Sequence, residues 1–375
     1  TTVGAAALID LYTNGTSGVI DASTVHTITG TTANANTIYD QTSKFTGLGT
    51  ENITIQGETN NTLAVADLNT LNGNTTGNID AGTVTTLTGV ISALNTAYAA
   101  SASTGDGISN LGNEAITLGD TSVTDVAALN TLNGNTTGLI DAGTNVTSFS
   151  GSISTLNIMF AAAGNSGDKI NFGGSNGAAT QTVTITDTTD VSVTALNTLN
   201  GNTTGNIDAT NVTSLASASI SDIKTLLTNG NNTTNNFAAT SFQSLSTVAV
   251  SGTSVSVTDL NDAIEQAVTA TSGTATVFSV ASGATITTGD DAEFTALRGH
   301  ETNGNIAITD QNLTVSSGFI TVDKANLLNA TTEGTVTASI VTTETVDELA
   351  TLTGTGAYTI VINGRDADAK QSTAA

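Results

Sequence analysis

Two rhythms of apolar residues alternate along this chain. Stretches such as Thr83-Val84-Thr85-Thr86-Leu87-Thr88-Gly89 switch between apolar and polar positions, the period of a half-buried strand. Ile91, Leu94, Ala97 and Tyr98 then follow at the spacing of one helix face, as do Ile153, Leu156 and Phe160 further on. A second strand-like pair, Ala115-Ile116-Thr117-Leu118 and Ser122-Val123-Thr124, leads into Asp125-Val126-Ala127-Ala128-Leu129. The predicted module is strand, strand, short helix over about 30 residues.

The module lies inside a longer repeat. The phrase running from Leu68 to Ala81, LNTLNGNTTGNIDA, returns nearly intact at Leu129–Ala142 and Leu196–Ala209. A degenerate copy opens at Leu8, so the spacings are 60, 61 and 67 residues. Thr124-Asp125 and Thr258-Asp259 predict helix starts, because a short oxygen-bearing side chain accepts from the first free N–H groups. Asn72-Gly73, Asn133-Gly134 and Asn200-Gly201 predict helix stops after about two turns, since both residue types tolerate positive φ.

A module with so few aliphatic residues cannot bury its own apolar face, and stacking on its neighbours solves this. The expected fold is therefore mainly β: a repetitive β-solenoid, parallel and β-helix-like, with short helices in each module. Tandem β-sandwich modules are the alternative, although sandwiches usually carry a buried Trp or Tyr and turn prolines. The chain has no Pro and no Trp, and Pro would remove a donor from the strand ladders. Residues 1–245 are expected to hold the tandem repeats. Residues 246–375 are expected to hold diverged repeats or a capping and contact region, with denser strands at 276–280, 318–322 and 358–362.

Composition narrows the functional classes. The 375 residues include seven Lys+Arg against 32 Asp+Glu, a formal net charge of -25, and no Cys. Phosphate neutralisation needs clustered cations, so nucleic acid is not an expected partner. No apolar run approaches the length of a membrane span, and disulfide or thiolate chemistry has no residues to use. With 38% hydrophobic and only 10% charged residues the chain can form a core. The acidic excess suggests a secreted protein in a salty or calcium-containing medium, where repulsion is screened. The opening Thr1-Thr2-Val3-Gly4 reads as that of a processed chain or a fragment.

Candidate chemistry is sparse. Only His26 and His300 are present, and no nucleophile elbow, phosphate-binding loop, dinucleotide fingerprint or zinc-binding His-Glu-x-x-His occurs, so no enzyme is expected. Calcium suits oxygen-rich turns, and its candidate ligands are Asp106, Asp168, Asp290 and Asp291. Asp21, Asp80, Asp141 and Asp208 recur with the repeat; they would form a column of carboxylates if the repeats superpose, and such a column calls for a counter-cation. Asn-x-Thr sequons at Asn74, Asn135, Asn145, Asn202 and Asn211 admit glycans.

The Leu-Asn-Thr-Leu-Asn-Gly-Asn-Thr-Thr-Gly-x-Ile-Asp-Ala repeat, in Thr-rich and proline-free surroundings, resembles the large repetitive surface proteins of marine bacteria and cyanobacteria, S-layer-like coats and giant envelope proteins. The resemblance covers most of residues 1–210. It implies an extracellular, non-enzymatic structural role: a cell-surface layer, filament or adhesive fibre assembled by self-association. A host- or glycan-recognition adhesin or tail-fibre module using the C-terminal third is the alternative.

Overall fold

The computed structural model of the chain describes residues 1–101, 107–167, 169–173, 179–232, 236–273, 276–354 and 356–362. They form an α/β structure in which short parallel strands alternate with twelve α-helices among the described residues. The helices are α1 (Ala5–Asp10), α2 (Thr32–Asp40), α3 (Val65–Asn74), α4 (Ile91–Ser101), α5 (Val126–Asn135), α6 (Ile153–Ala161), α7 (Val193–Asn202), α8 (Ile220–Asn231), α9 (Val257–Ala270), α10 (Asp291–Thr302), α11 (Val322–Thr331) and α12 (Val346–Leu349).

The expected mainly-β solenoid and the sandwich alternative are both wrong, because the helices are a full structural layer. Most start within two residues of a strand, and α3, α5 and α7 continue through the Asn-Gly dipeptides expected to stop them. Thus α3 includes Asn72, Gly73 and Asn74, and Gly73 keeps a negative φ. Val65, Leu68 and Leu71 give α3 one buried face. Successive helices also pack on each other, α2 on α3, α3 on α4 and α4 on α5. Tertiary packing outweighs the local stop signal.

Two compact units divide the chain: residues 1–184 with 202–206, and residues 185–201 with 207–375. In the first unit one five-stranded parallel sheet runs Thr2–Gly4, Thr27–Gly30, Asn52–Ile55, Ile79–Asp80, Ile108–Ser109. A second runs Thr62–Ala64, Thr86–Gly89, Ala115–Leu118, Ile140–Asp141, Ile170–Asn171. Each starts on the strand that enters an odd-numbered helix, α1 or α3. The next strand enters α2 or α4, and the later ones lie progressively further upstream of their helix. The sheets are therefore staggered. Val3 and Leu63 hold the same place in the two sheets, pairing with Ile28 and Leu87, so the interval between sheet starts is the 60-residue repeat itself. The second unit has a like sheet from Ser254–Ser256, which enters α9, to Ala357–Thr359.

The register stacks like on like. Ile28, Ile53, Ile79 and Ile108 succeed one another in one column. Leu63, Leu87, Ile116, Ile140 and Ile170 succeed one another in the other. All are at most 2% exposed. Each such side chain contributes roughly 1.5–3 kcal/mol by leaving water.

Two hydrogen-bond devices tie successive turns together. In the Thr-Thr-Gly part of the repeat, Thr75 Oγ1 donates to Glu51 O at 2.7 Å and accepts from Gly77 N at 3.0 Å. Thr136 does the same with Glu114 O and Gly138 N, at 2.8 and 3.0 Å. In the second unit Thr332 takes this role with Gln311 O and Gly334 N, at 2.6 and 2.9 Å. The glycine is obligatory for space: a Cβ at Gly77 or Gly138 would sit 2.3 or 2.0 Å from that same carbonyl oxygen.

The second device is an asparagine ladder on the helices. The fifth residue of a helix donates its side-chain N–H to a carbonyl in the first turn of the next. Asn36 Nδ2 reaches Asp67 O at 3.0 Å, Asn69 reaches Ala93 O at 2.9 Å, Asn95 reaches Ala128 O at 2.9 Å, and Asn130 reaches Thr155 O at 3.0 Å. In the second unit Asn197 reaches Asp222 O at 3.3 Å and Asn261 reaches Glu293 O at 2.9 Å. Lys224 replaces Asn in α8, and pairs with Asp259 and Asp262 of α9, both at 2.7 Å.

Candidate functional site

Of the four expected calcium ligands, Asp290 and Asp291 are among the described residues. Asp106 and Asp168 lie outside the described residues. Asp290 caps α10: its carboxylate accepts from Ala292 N and Glu293 N at 2.9 and 3.2 Å, while Glu293 Oε2 accepts from Asp290 N at 2.9 Å. This reciprocal capping box satisfies donors that the first helical turn leaves free. Asp291, the next residue, pairs with Lys324 of α11. Among the described residues no group of three or more His, Asp or Glu is arranged to hold a metal ion.

The recurring Asp residues hold turns. Asp21, Asp80, Asp141 and Asp208 accept through Oδ1 from the backbone N–H two residues on, at 2.9, 3.0, 3.0 and 2.9 Å. This is the local bond that makes Asp a turn residue. The Ser23 hydroxyl first, and its backbone N–H second, lower the Asp21 pKa below its ordinary value. The expected carboxylate column is absent in the first unit. Asp80 lies between Thr54 and Ser109 in one sheet, and Asp141 between Thr117 and Asn171 in the other. Stagger of the sheets separates them.

Two buried carboxylates escaped the sequence reading. Glu51 and Glu114 are 1% and 0% exposed. Glu51 Oε2 accepts from Gly49 N, Thr50 N and the Tyr39 hydroxyl at 2.8, 3.2 and 2.9 Å. Glu114 Oε2 accepts from Gly112 N and the Tyr98 hydroxyl at 2.9 and 3.0 Å. Burial, then the adjacent Glu51, pushes the Tyr39 phenol above its ordinary value, and burial is also the main cause at Tyr98. A phenol and backbone N–H groups thus hold each buried Glu side chain in place, an arrangement that orders the turn. The available signal was a Glu just ahead of an alternating strand, with Thr-Thr-Gly one turn later.

His26 is exposed. His300 in α10 is half-buried with Nε2 unbonded among the described residues. Burial lowers its pKa, against the opposing charge of Glu265.

The joint between α10 and α11 departs from the ladder. Position five of α10 is Thr295, whose hydroxyl donates back to Asp291 O at 2.8 Å within its own helix. The two helices are bridged at their edges, by Asp291 with Lys324 and by Arg298 Nε donating to Thr331 Oγ1 at 3.1 Å. Between these bridges lies a cleft of about 120 Å³ lined by Phe294, Thr295, Leu327 and Leu328 with the charged residues. Leu327 is 45% exposed there.

No protein-family model matches the sequence, and no curated protein is significantly similar to it. Among the described residues no helix is long and apolar enough to cross a membrane.

Proposed function

We propose that the protein is a non-enzymatic, extracellular structural repeat protein that builds a cell-surface layer, filament or adhesive fibre by self-association. The observation that carries this reading is what the repeat phrase does. Its Leu residues fill the core, its first Asn forms the helix ladder, its Thr-Thr-Gly clamps one turn to the previous one, and its Asp closes a turn. The repeated side chains are thus committed to joining turn to turn. A sequence maintained for that purpose suits a protein whose product is a mechanical element.

Parallel ladders present unpaired N–H and C=O groups at their last strands, and a head-to-tail contact through such edges generates filaments. Calcium belongs to this proposal as an ion held at oxygen-rich turns of the acidic surface, and glycans as a modification of the Asn-x-Thr sites. Negative-stain electron microscopy of the purified chain, at low and millimolar calcium and over a range of concentration, tests the proposal. Ordered filaments or sheets are expected. Discrete particles under every condition would sink it.

A further inference from the structure

We infer that the cleft between α10 and α11 is a binding site for a small organic anion with an apolar body, of the aryl or alkyl carboxylate class. The inference is independent of the assembly proposed above, because it rests on a local exception to the ladder.

The exception has a visible cause. In the α9–α10 joint the fifth residue, Asn261, reaches the next helix and bonds Glu293 O. In the following joint the equivalent Thr295 is too short and is satisfied on its own helix. α9 and α10 pack closely, whereas α10 and α11 meet mainly through the two edge bridges. The space left between them is floored by Phe294 and Leu328, which are 1% and 4% exposed, and is flanked by the more open Leu327. Apolar cavities of about 150 Å³ take up benzene; this cleft of about 120 Å³ is smaller but open beside the exposed Leu327, so an aromatic ring or short alkyl chain can seat in it with part of its surface in solvent.

Charge selects the sign of the ligand. The chain carries -25 overall, yet this cleft gathers Arg298 and Lys324. Lys324 is neutralised by Asp291. Arg298 uses only Nε in a hydrogen bond among the described residues, so its two amino groups can present a fork to a carboxylate. Glu301, one turn along α10, has its pKa raised by burial against the opposing Arg298 charge.

Phenylacetate and its neutral counterpart 2-phenylethanol, titrated into the full chain and followed by calorimetry and by methyl NMR of Leu327 and Leu328, test the site. Saturable millimolar binding of phenylacetate is expected, with 2-phenylethanol weaker. Arg298→Gln is expected to weaken phenylacetate about tenfold or more while leaving 2-phenylethanol unchanged. Thr295→Asn restores the ladder donor and is expected to abolish both. Circular dichroism checks that each variant is folded, and the wild-type NMR titration stands without any variant. Absence of saturable binding to the wild-type chain would overturn the site, as would equal affinity for acid and alcohol, or unaltered binding in a folded Thr295→Asn variant. A cleft filled instead by a second copy would show methyl shifts that follow protein concentration and ignore phenylacetate, which also overturns it.

Discussion

Two glycines separated by three residues in the same repeat phrase have opposite roles. Gly134 lies inside α5 with helical φ and open space where a Cβ would be, so it weakens the helix without a steric need. Gly138 faces the Glu114 carbonyl, where a Cβ would come within 2.0 Å. Gly134→Ala is therefore expected to stabilise the chain by about 0.5–1 kcal/mol. Gly138→Ala is expected to destabilise it by about 2–3 kcal/mol through forced backbone displacement. Urea unfolding midpoints read both; equal effects would contradict the clamp. A second residue-scale expectation concerns His300. Its folded pKa lies below the ordinary value of 6.5 because burial disfavours the charged ring. The unfolded chain then binds more protons in the window just below that value, so this contribution to stability is complete above pH 6.5 and falls as the pH drops toward the folded pKa. The difference in melting temperature between wild type and His300→Gln should shift over this window, and a pH-independent difference would refute the assignment. Glu265 is the neighbouring carboxylate that opposes the effect.

At the scale of the element, the ladder asparagine should matter more than its helix propensity. Asn69 bonds Ala93 O on the adjacent helix, and Asn69→Ala leaves that bond unmade. The expected cost is about 1–2 kcal/mol, although Ala is the better helix former. Hydrogen exchange should show faster opening in α3 and α4 and little change in α9; a stabilised variant would show that propensity decides. Periodicity in the sequence already located these helices: Ile91, Leu94, Ala97 and Tyr98 are all buried in α4. Helix ends were less legible. The cap of α5 is Asp125, one residue after the expected Thr124, and α9 is capped by Ser256, two residues before the expected Thr258. The Asn-Gly stop failed because neighbouring helices hold the last turn in place. Fold class was misjudged for the same reason: the helices pack side by side on their neighbours, several of them tied by an Asn, and nothing in a single-helix pattern reveals that such a side chain reaches a neighbour. The acidic positions were misjudged for a complementary reason. Asp80 and Asp141 recur 61 residues apart and would form a column only if the repeats superposed; the stagger places them in different sheets.

For the whole molecule, charge dominates over individual ion pairs. Against a net charge of -25, the ion pairs among the described residues involve only Lys224 and Lys324, both partly exposed, and such pairs contribute little. Most carboxylates therefore repel one another, and the compact state suffers more than the expanded one because its charges are closer. Added salt shortens the Debye length from about 30 Å at 0.01 M to about 8 Å at 0.15 M, so the melting temperature should climb steeply over that range and level off above it. Calcium adds a separable effect. If it only screens, calcium chloride and sodium chloride at equal ionic strength give the same melting curve. If the folded chain holds it at oxygen-rich turns, stability gains a further term that grows with the logarithm of calcium concentration over its dissociation constant, and a chelator removes that increment alone. The extracellular reading predicts the second behaviour, with the increment saturating in the millimolar range typical of external calcium modules. Superimposable curves would reduce calcium to an ordinary counter-ion and leave screening by salt as the whole explanation for how so acidic a chain stays folded.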